Sequence, residues 1–123
     1  MRAGFEAFVS GLPATTLVHQ WGDSSVAKVG GKVFALMGLS VEGAGITFKV
    51  SEITFDMLTT LDGIGQAPYF AKRHWVSVAA HAALGEDDLA AYICEAHRLV
   101  AGKLTRKLRA ELGLEDRVAA GPR

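Results

Sequence analysis

Two β-type runs flank the pair Gly30-Gly31 within the stretch Ser24–Met37, and this restricts the fold more than any other part of the chain. A two-residue loop in a type I′ turn needs positive φ at both central positions, which glycine adopts without steric cost. With Gly30 and Gly31 as the loop, Val29 faces Lys32, Lys28 faces Val33 and Ala27 faces Phe34. A register set in this way gives the rest of an antiparallel sheet something to build on.

The flanking segments supply that sheet and its helices. Phe5, Phe8, Val9 and Leu12 recur at helical spacing, and Gly11 and Pro13 stop the helix. Thr15 to Trp21 reads as the first strand, and Gly22-Asp23 turns the chain into the hairpin. A glycine-containing loop from Gly38 to Gly45 leads to Ile46–Val50. There Ile46, Phe48 and Val50 point inward and Thr47 and Lys49 outward, as in a sheet with one wet face. Ser51 is placed to cap a helix with a predicted buried stripe of Ile53, Met57, Leu58 and Leu61, ended by Asp62-Gly63.

Pro68 lies in a short connection, and Lys72 to Val78 reads as the last strand, with His74, Val76 and Val78 on one side and Arg73, Trp75 and Ser77 on the other. Leu89, Tyr92, Ile93, Ala96, Leu99 and Val100 then form the stripe of a long helix, and Glu86, Asp87 and Asp88 suit its N-terminal dipole. Gly102 breaks this helix, and Leu104, Leu108 and Leu112 carry another up to Gly113. The expected class is α+β: an antiparallel sheet of four to five strands covered on one face by helices. One domain is expected over residues 1–114, with a frayed tail at 115–123.

Composition narrows the function classes. A chain of 123 residues buries roughly two thirds of its unfolded surface, enough for a core without staples. Thirteen Lys and Arg balance thirteen Asp and Glu, so no net charge draws the whole molecule to a polyanion. A single cysteine, Cys94, excludes an internal disulfide and a cysteine-rich zinc site. Glu6 interrupts any signal-like apolar region, no A-x-A site follows, and no apolar run approaches the ~18 residues of a spanning helix. A cytoplasmic protein with no membrane partner is expected.

Gly11-Leu-Pro13, Gln20-Trp-Gly22, Val29–Phe34, Phe48–Ser51, Ala67-Pro-Tyr69 and His74–Val78, with His97–Val100, together resemble the YjbR/MmcQ family. The likeness runs from about Phe5 to Leu114 and lies in the order and spacing of the motifs. It implies a small bacterial protein of the frataxin-like (CyaY-like) fold. The family is largely uncharacterised, and its DNA-binding label comes from likening the fold to a double-wing arrangement, an argument by fold alone. Frataxin-like iron binding resembles a row of carboxylates on the first helix and strand. This chain offers only Glu6 and Asp23 there, too few for a hard cation, so no iron and no other cofactor is expected.

No catalytic template survives inspection, and the chain is expected not to be an enzyme. Gly38–Glu42 lacks the closing glycine of a nucleophile elbow, Gly63-Ile-Gly65 runs into Pro68, and Gly30-Gly-Lys32 lacks the rest of a phosphate loop. His19, His74, His81 and His97 form no ligand set by spacing. Cys94 and His97 make half a zinc site and read better as a packed thiol beside a partly exposed histidine.

Basic residues are the one suggestive feature. Arg98, Lys103, Arg106, Lys107 and Arg109 fall in a stretch without an acid, Lys28, Lys32 and Lys49 lie in and beside the hairpin, and Lys72, Arg73 and His74 open the last strand. Trp75, flanked by these bases, joins Lys28, Lys32, Lys72, Arg73 and His74 as the candidate nucleic-acid surface. Phosphate contacts there would be independent of sequence and sensitive to salt. The plain alternative is a solvated helix face, and large aromatics such as Trp21 and Trp75 are commonly sheet packing. A second function class is a protein- or small-ligand-binding module using the sheet face around Trp75 and Tyr69. Either suits a monomer or a weak homodimer.

Overall fold

The computed structural model describes residues 2–20, 24–38, 45–67, 74–79 and 84–114. Trp21, Asp23, Glu42, Pro68, Tyr69, Lys72, Arg73, His81 and the 115–123 tail, all weighed above, lie outside these residues. The elements in order are α1 (Arg2–Ser10), β1 (Thr15–Gln20), β2 (Ser24–Val29), β3 (Lys32–Met37), β4 (Gly45–Lys49), α2 (Glu52–Leu58), β5 (Ile64–Gln66), β6 (Trp75–Ala79), α3 (Glu86–Ala101) and α4 (Arg106–Glu111). The strands form one antiparallel sheet in the order β1-β2-β3-β4-β6-β5.

The sheet therefore has six strands rather than four or five. The addition is β5, three residues on the edge of β6, where Gly65 and Gln66 give no alternating apolar signal. No helix among the described residues is long and apolar enough to cross a membrane.

The hairpin forms as its glycines dictate: Gly30 has φ 59° and Gly31 φ 83°, and Val29 pairs with Lys32 and Lys28 with Val33. Beyond that the register departs from simple alternation. Ala27 pairs with Ala35, not Phe34, so Phe34 is the extra residue of a β-bulge. The bulge lets both Phe34 and Ala35 face the helices, and both are fully buried.

α1 and α3 cover one face of the sheet, over a core that includes Val9, Phe34, Phe48, Val76, Ile93 and Val100. The opposite face is not uniformly wet. The cross-strand row Val26–Leu36–Thr47 has exposures of 3% or less. Thr47 was expected to face water, but β4 is a central strand and holds Thr47 between Leu36 and Ser77.

α2 corrects a second expectation. Ser51 caps it as predicted, its hydroxyl accepting from the Thr54 N–H at 3.2 Å. Of the predicted buried stripe, however, only Leu58 is buried, while Ile53, Met57 and Leu61 are exposed. Phe55, instead, turns inward and meets the His74 ring at 5.9 Å. The last strand, expected from Lys72, begins at Trp75, directly after His74 with its φ of 70°.

At the far end, α3 stops at Gly102 and Thr105 caps α4 through the Leu108 N–H at 3.1 Å. Leu104, between the two helices, is packed onto the hairpin turn. A Cβ placed on Gly30 would lie 2.6 Å from Leu104 Cδ1, whereas one on Gly31 would meet nothing within 4 Å. Gly30→Ala should therefore combine left-handed strain of about 1–2 kcal/mol with overpacking of about 1–3 kcal/mol. Gly31→Ala should show the strain alone. Urea denaturation of the two variants checks this ordering, and equal losses would mean that Leu104 yields freely.

Candidate functional site

Topology gathers the basic residues at one end of the domain. The β2–β3 turn, the last residue of β4 and the first of β6 all lie at that end, since Lys28 pairs with Val33 and Lys49 with Trp75. The Leu104 contact brings the α3–α4 corner there as well, and with it Lys103, Arg106 and Lys107, all exposed. A 16-residue α3 is about 24 Å long. Its acidic first turn, Glu86, Asp87 and Asp88, thus stands at the opposite end. Among the described residues, a group of bases thus gathers at one end, the basic pole, with Glu52 at the start of α2 beside it, and three adjacent acids stand at the other, the acidic pole.

Strand alternation sorts these side chains further. Ala27, Phe48 and Val76 face the helices, so Lys28, Lys49 and Trp75 share the opposite face. Lys28 stands three strand spacings from Trp75, about 14 Å at ~4.8 Å each. Lys32, at the tip, is exposed. The Lys49 ammonium lies over the Trp75 ring at 5.9 Å from its centroid, so the half-buried indole is already engaged by a cation. The nearby His74 ring is packed against Phe55.

Of the predicted site, the structure thus brings Lys28, Lys32, His74 and Trp75 to one end, while Lys72 and Arg73 lie outside the described residues. Two of the helical arginines are committed elsewhere. Arg109 Nη1 donates to the Gly102 and Leu104 carbonyls at 3.2 and 2.6 Å, tying down the α3–α4 corner. Arg98 forms a two-pronged pair with Glu95; these hydrogen bonds raise its already high pKa, against a smaller lowering by burial.

A cavity of about 590 Å³ opens between α1, α3 and the sheet at the acidic pole. Phe5, Phe8, Met37, Ile46 and Ile93 make its walls apolar, with Glu86 as a charged lining residue. Ligand sites of such size and lining are common. The sequence offered no direct sign of it, since its apolar residues read as core and Glu86 as a helix-start acid. It lies on the helix-covered face, not on the Trp75 face where a ligand site was expected.

One Ser–His–carboxylate cluster forms. Glu6 Oε2 accepts from the Ser25 hydroxyl at 2.5 Å and meets His19 Nε2 at 2.9 Å. Nucleophilic catalysis needs the base on the serine and the serine open to substrate. Here Ser25 bonds the carboxylate and is fully buried, so the cluster clamps α1 to β1 and β2. Among the described residues, no group of three or more His, Cys, Asp or Glu is arranged to hold a metal ion.

Comparison with known proteins bears on this architecture directly. The YjbR family model matches residues 10–99. The chain belongs to the YjbR family. No curated protein matches it. A Deinococcus radiodurans protein with a DUF419 domain is similar in structure at a TM-score of 0.83 and 23% identity, over 100% of this chain and 95% of the other. A Pseudomonas syringae protein is similar at a TM-score of 0.67 and 23% identity, over 80% of this chain and 97% of the other. At such identities the likeness concerns the fold. The YjbR match includes the hairpin and the whole sheet and ends before α4, so Lys103, Arg106 and Lys107 fall beyond it.

Within this YjbR domain the Cys94–His97 pair is the reverse of its expectation. His97 is fully buried and Cys94 half-buried. His97 Nε2 stands 2.7 Å from the Pro13 carbonyl, and the ring meets Phe34 edge-on at 5.1 Å, joining α3 to the α1–β1 turn and to the bulge. Spacing placed His97 on the flank of the stripe, but the bulged Phe34 gives its ring a wall. His97→Ala should cost about 2–4 kcal/mol by cavity formation and loss of a buried hydrogen bond. By contrast, His19→Ala, at a side chain 59% exposed, should stay within about 0.5 kcal/mol. Chemical denaturation of both variants measures the contrast.

Proposed function

We propose that this YjbR protein is a non-enzymatic, cytoplasmic binding domain whose basic pole engages the phosphate backbone of nucleic acid. The observation that carries this reading is the meeting of Lys28, Lys32, Lys49, Lys103, Arg106 and Lys107 at one end of a chain with no net charge. Such a surface favours backbone contact without base readout. Trp75 positions Lys49 in this reading and does not stack on bases.

The test is a fluorescence-polarisation titration with random duplex and single-stranded DNA at several salt concentrations. Four phosphate contacts would give a log K against log [salt] slope of about −3 to −4 on duplex, and Lys28→Ala/Lys32→Ala should flatten it by about 2. Lys107→Ala should act in the same direction. Absence of binding at low salt, where non-specific attraction is strongest, would refute the proposal.

The cavity at the acidic pole favours a second reading, a site for a small apolar molecule that is neutral or cationic. Glu86, Asp87 and Asp88 there disfavour an anionic headgroup. A neutral naphthylamine dye should brighten on binding, and Ala90→Phe, placed on the lining, should block it. A dye response unchanged by Ala90→Phe would count against this site.

A further inference from the structure

Among the described residues, the exposed large hydrophobics are Ile53, Met57 and Leu61, at 81%, 51% and 40% exposure. All three belong to one stripe. They are spaced i, i+4 and i+8, and the Leu61 N–H bonds the Leu58 carbonyl at 3.0 Å, which continues the turn beyond α2. The opposite side of α2 is already used, with Leu58 buried and Phe55 against His74. α2 thus commits its smaller apolar side to the core and turns its larger one to solvent. A contiguous apolar stripe rimmed by polar residues marks an interaction surface.

The charge around the stripe selects the partner. Glu52 and Asp56 flank it on α2, and Asp62 follows Leu61. From Val50 to Ala71 the chain contains no Lys, Arg or His. Two copies paired symmetrically through α2 would set these carboxylates against each other, which penalises a homodimer here. The chain's own basic α4 does not offer a matching face, because Leu108 and Leu112 are packed against the core.

We propose that the α2 stripe is a docking surface for a basic amphipathic helix of another protein. Its apolar side would pack on Ile53, Met57 and Leu61, and its Lys or Arg residues would pair with Glu52, Asp56 and Asp62. An i±4 ridge of this kind interlocks with the ridges of a facing helix. The surface shares no residue with the cavity lining. α2 borders the basic pole, where Glu52 follows Lys49 closely and Phe55 touches His74, but the stripe itself carries no base, so the proposal depends on neither of those readings.

The probe is a synthetic helical peptide of Leu and Lys in an i, i+4, i+7 pattern, compared with the Leu/Glu peptide of the same pattern. Titrated into the full chain, the Lys peptide should saturate one site and shift the Ile53 and Met57 methyl resonances, with the Glu peptide at least about tenfold weaker. Ile53→Ser/Met57→Ser should weaken the Lys peptide about tenfold or more, with circular dichroism and Tm unchanged. Glu52→Lys/Asp56→Lys should reverse the preference between the two peptides. Absence of saturable binding, or binding that ignores both double substitutions, would overturn the proposal. So would a sedimenting dimer that Ile53→Ser disperses, because the stripe would then belong to a second copy.

Discussion

Gly30 has no side chain, and Leu104 occupies the space in which one would stand. This contact joins the start of the sheet to the end of the helical layer across most of the chain's length. The turn must be left-handed at Gly30 and Gly31 to return β3 against β2, and only a residue without Cβ lets the α3–α4 corner come so close. Both sides of the basic pole meet here. Lys28 and Lys32 come from the hairpin and Lys103 from the corner, so the charge distribution follows from a packing constraint between apolar groups and backbone.

The Phe34 bulge is the second constraint. One extra residue in β3 sends Phe34 toward α3, where the His97 ring meets it edge-on and reaches on to the Pro13 carbonyl. α1, β1, β3 and α3 are thereby held around a single histidine. The Glu6–Ser25–His19 cluster repeats the arrangement nearer the other pole. The two histidines, weighed in the sequence as ligands, serve in both places to fix helices on the sheet.

Much of this architecture was legible in the sequence, because local chemistry decides it: glycines for the turn, Ser51 for a cap, apolar periodicity for α1, β4 and α3. What escaped depends on contacts distant in sequence. A bulge leaves no mark in the alternation of Lys32–Met37, β5 is too short and too rich in Gly and Gln, and Thr47 is buried between Leu36 and Ser77, neighbours distant in sequence. α2 shows the limit best. Its apolar residues predict a buried stripe, but periodicity cannot say which of two apolar sides meets the core, and Phe55 with Leu58 takes that place. Lys28, Lys32 and Lys49 were visible as a basic group, yet their meeting with Lys103 and Lys107 required the fold. The cavity was invisible, since its apolar lining is ordinary core chemistry.

The central functional claim is that charge gathered at the Gly30–Leu104 junction recognises phosphate. Its most direct test is an amide-resolved NMR titration of the chain with a short random DNA duplex at low salt. The account predicts shift changes confined to Lys28–Val33, Lys49, Trp75 and Lys103–Lys107, reversed by added salt. Changes centred on α2 or on the residues around the cavity, or none at all, would contradict it.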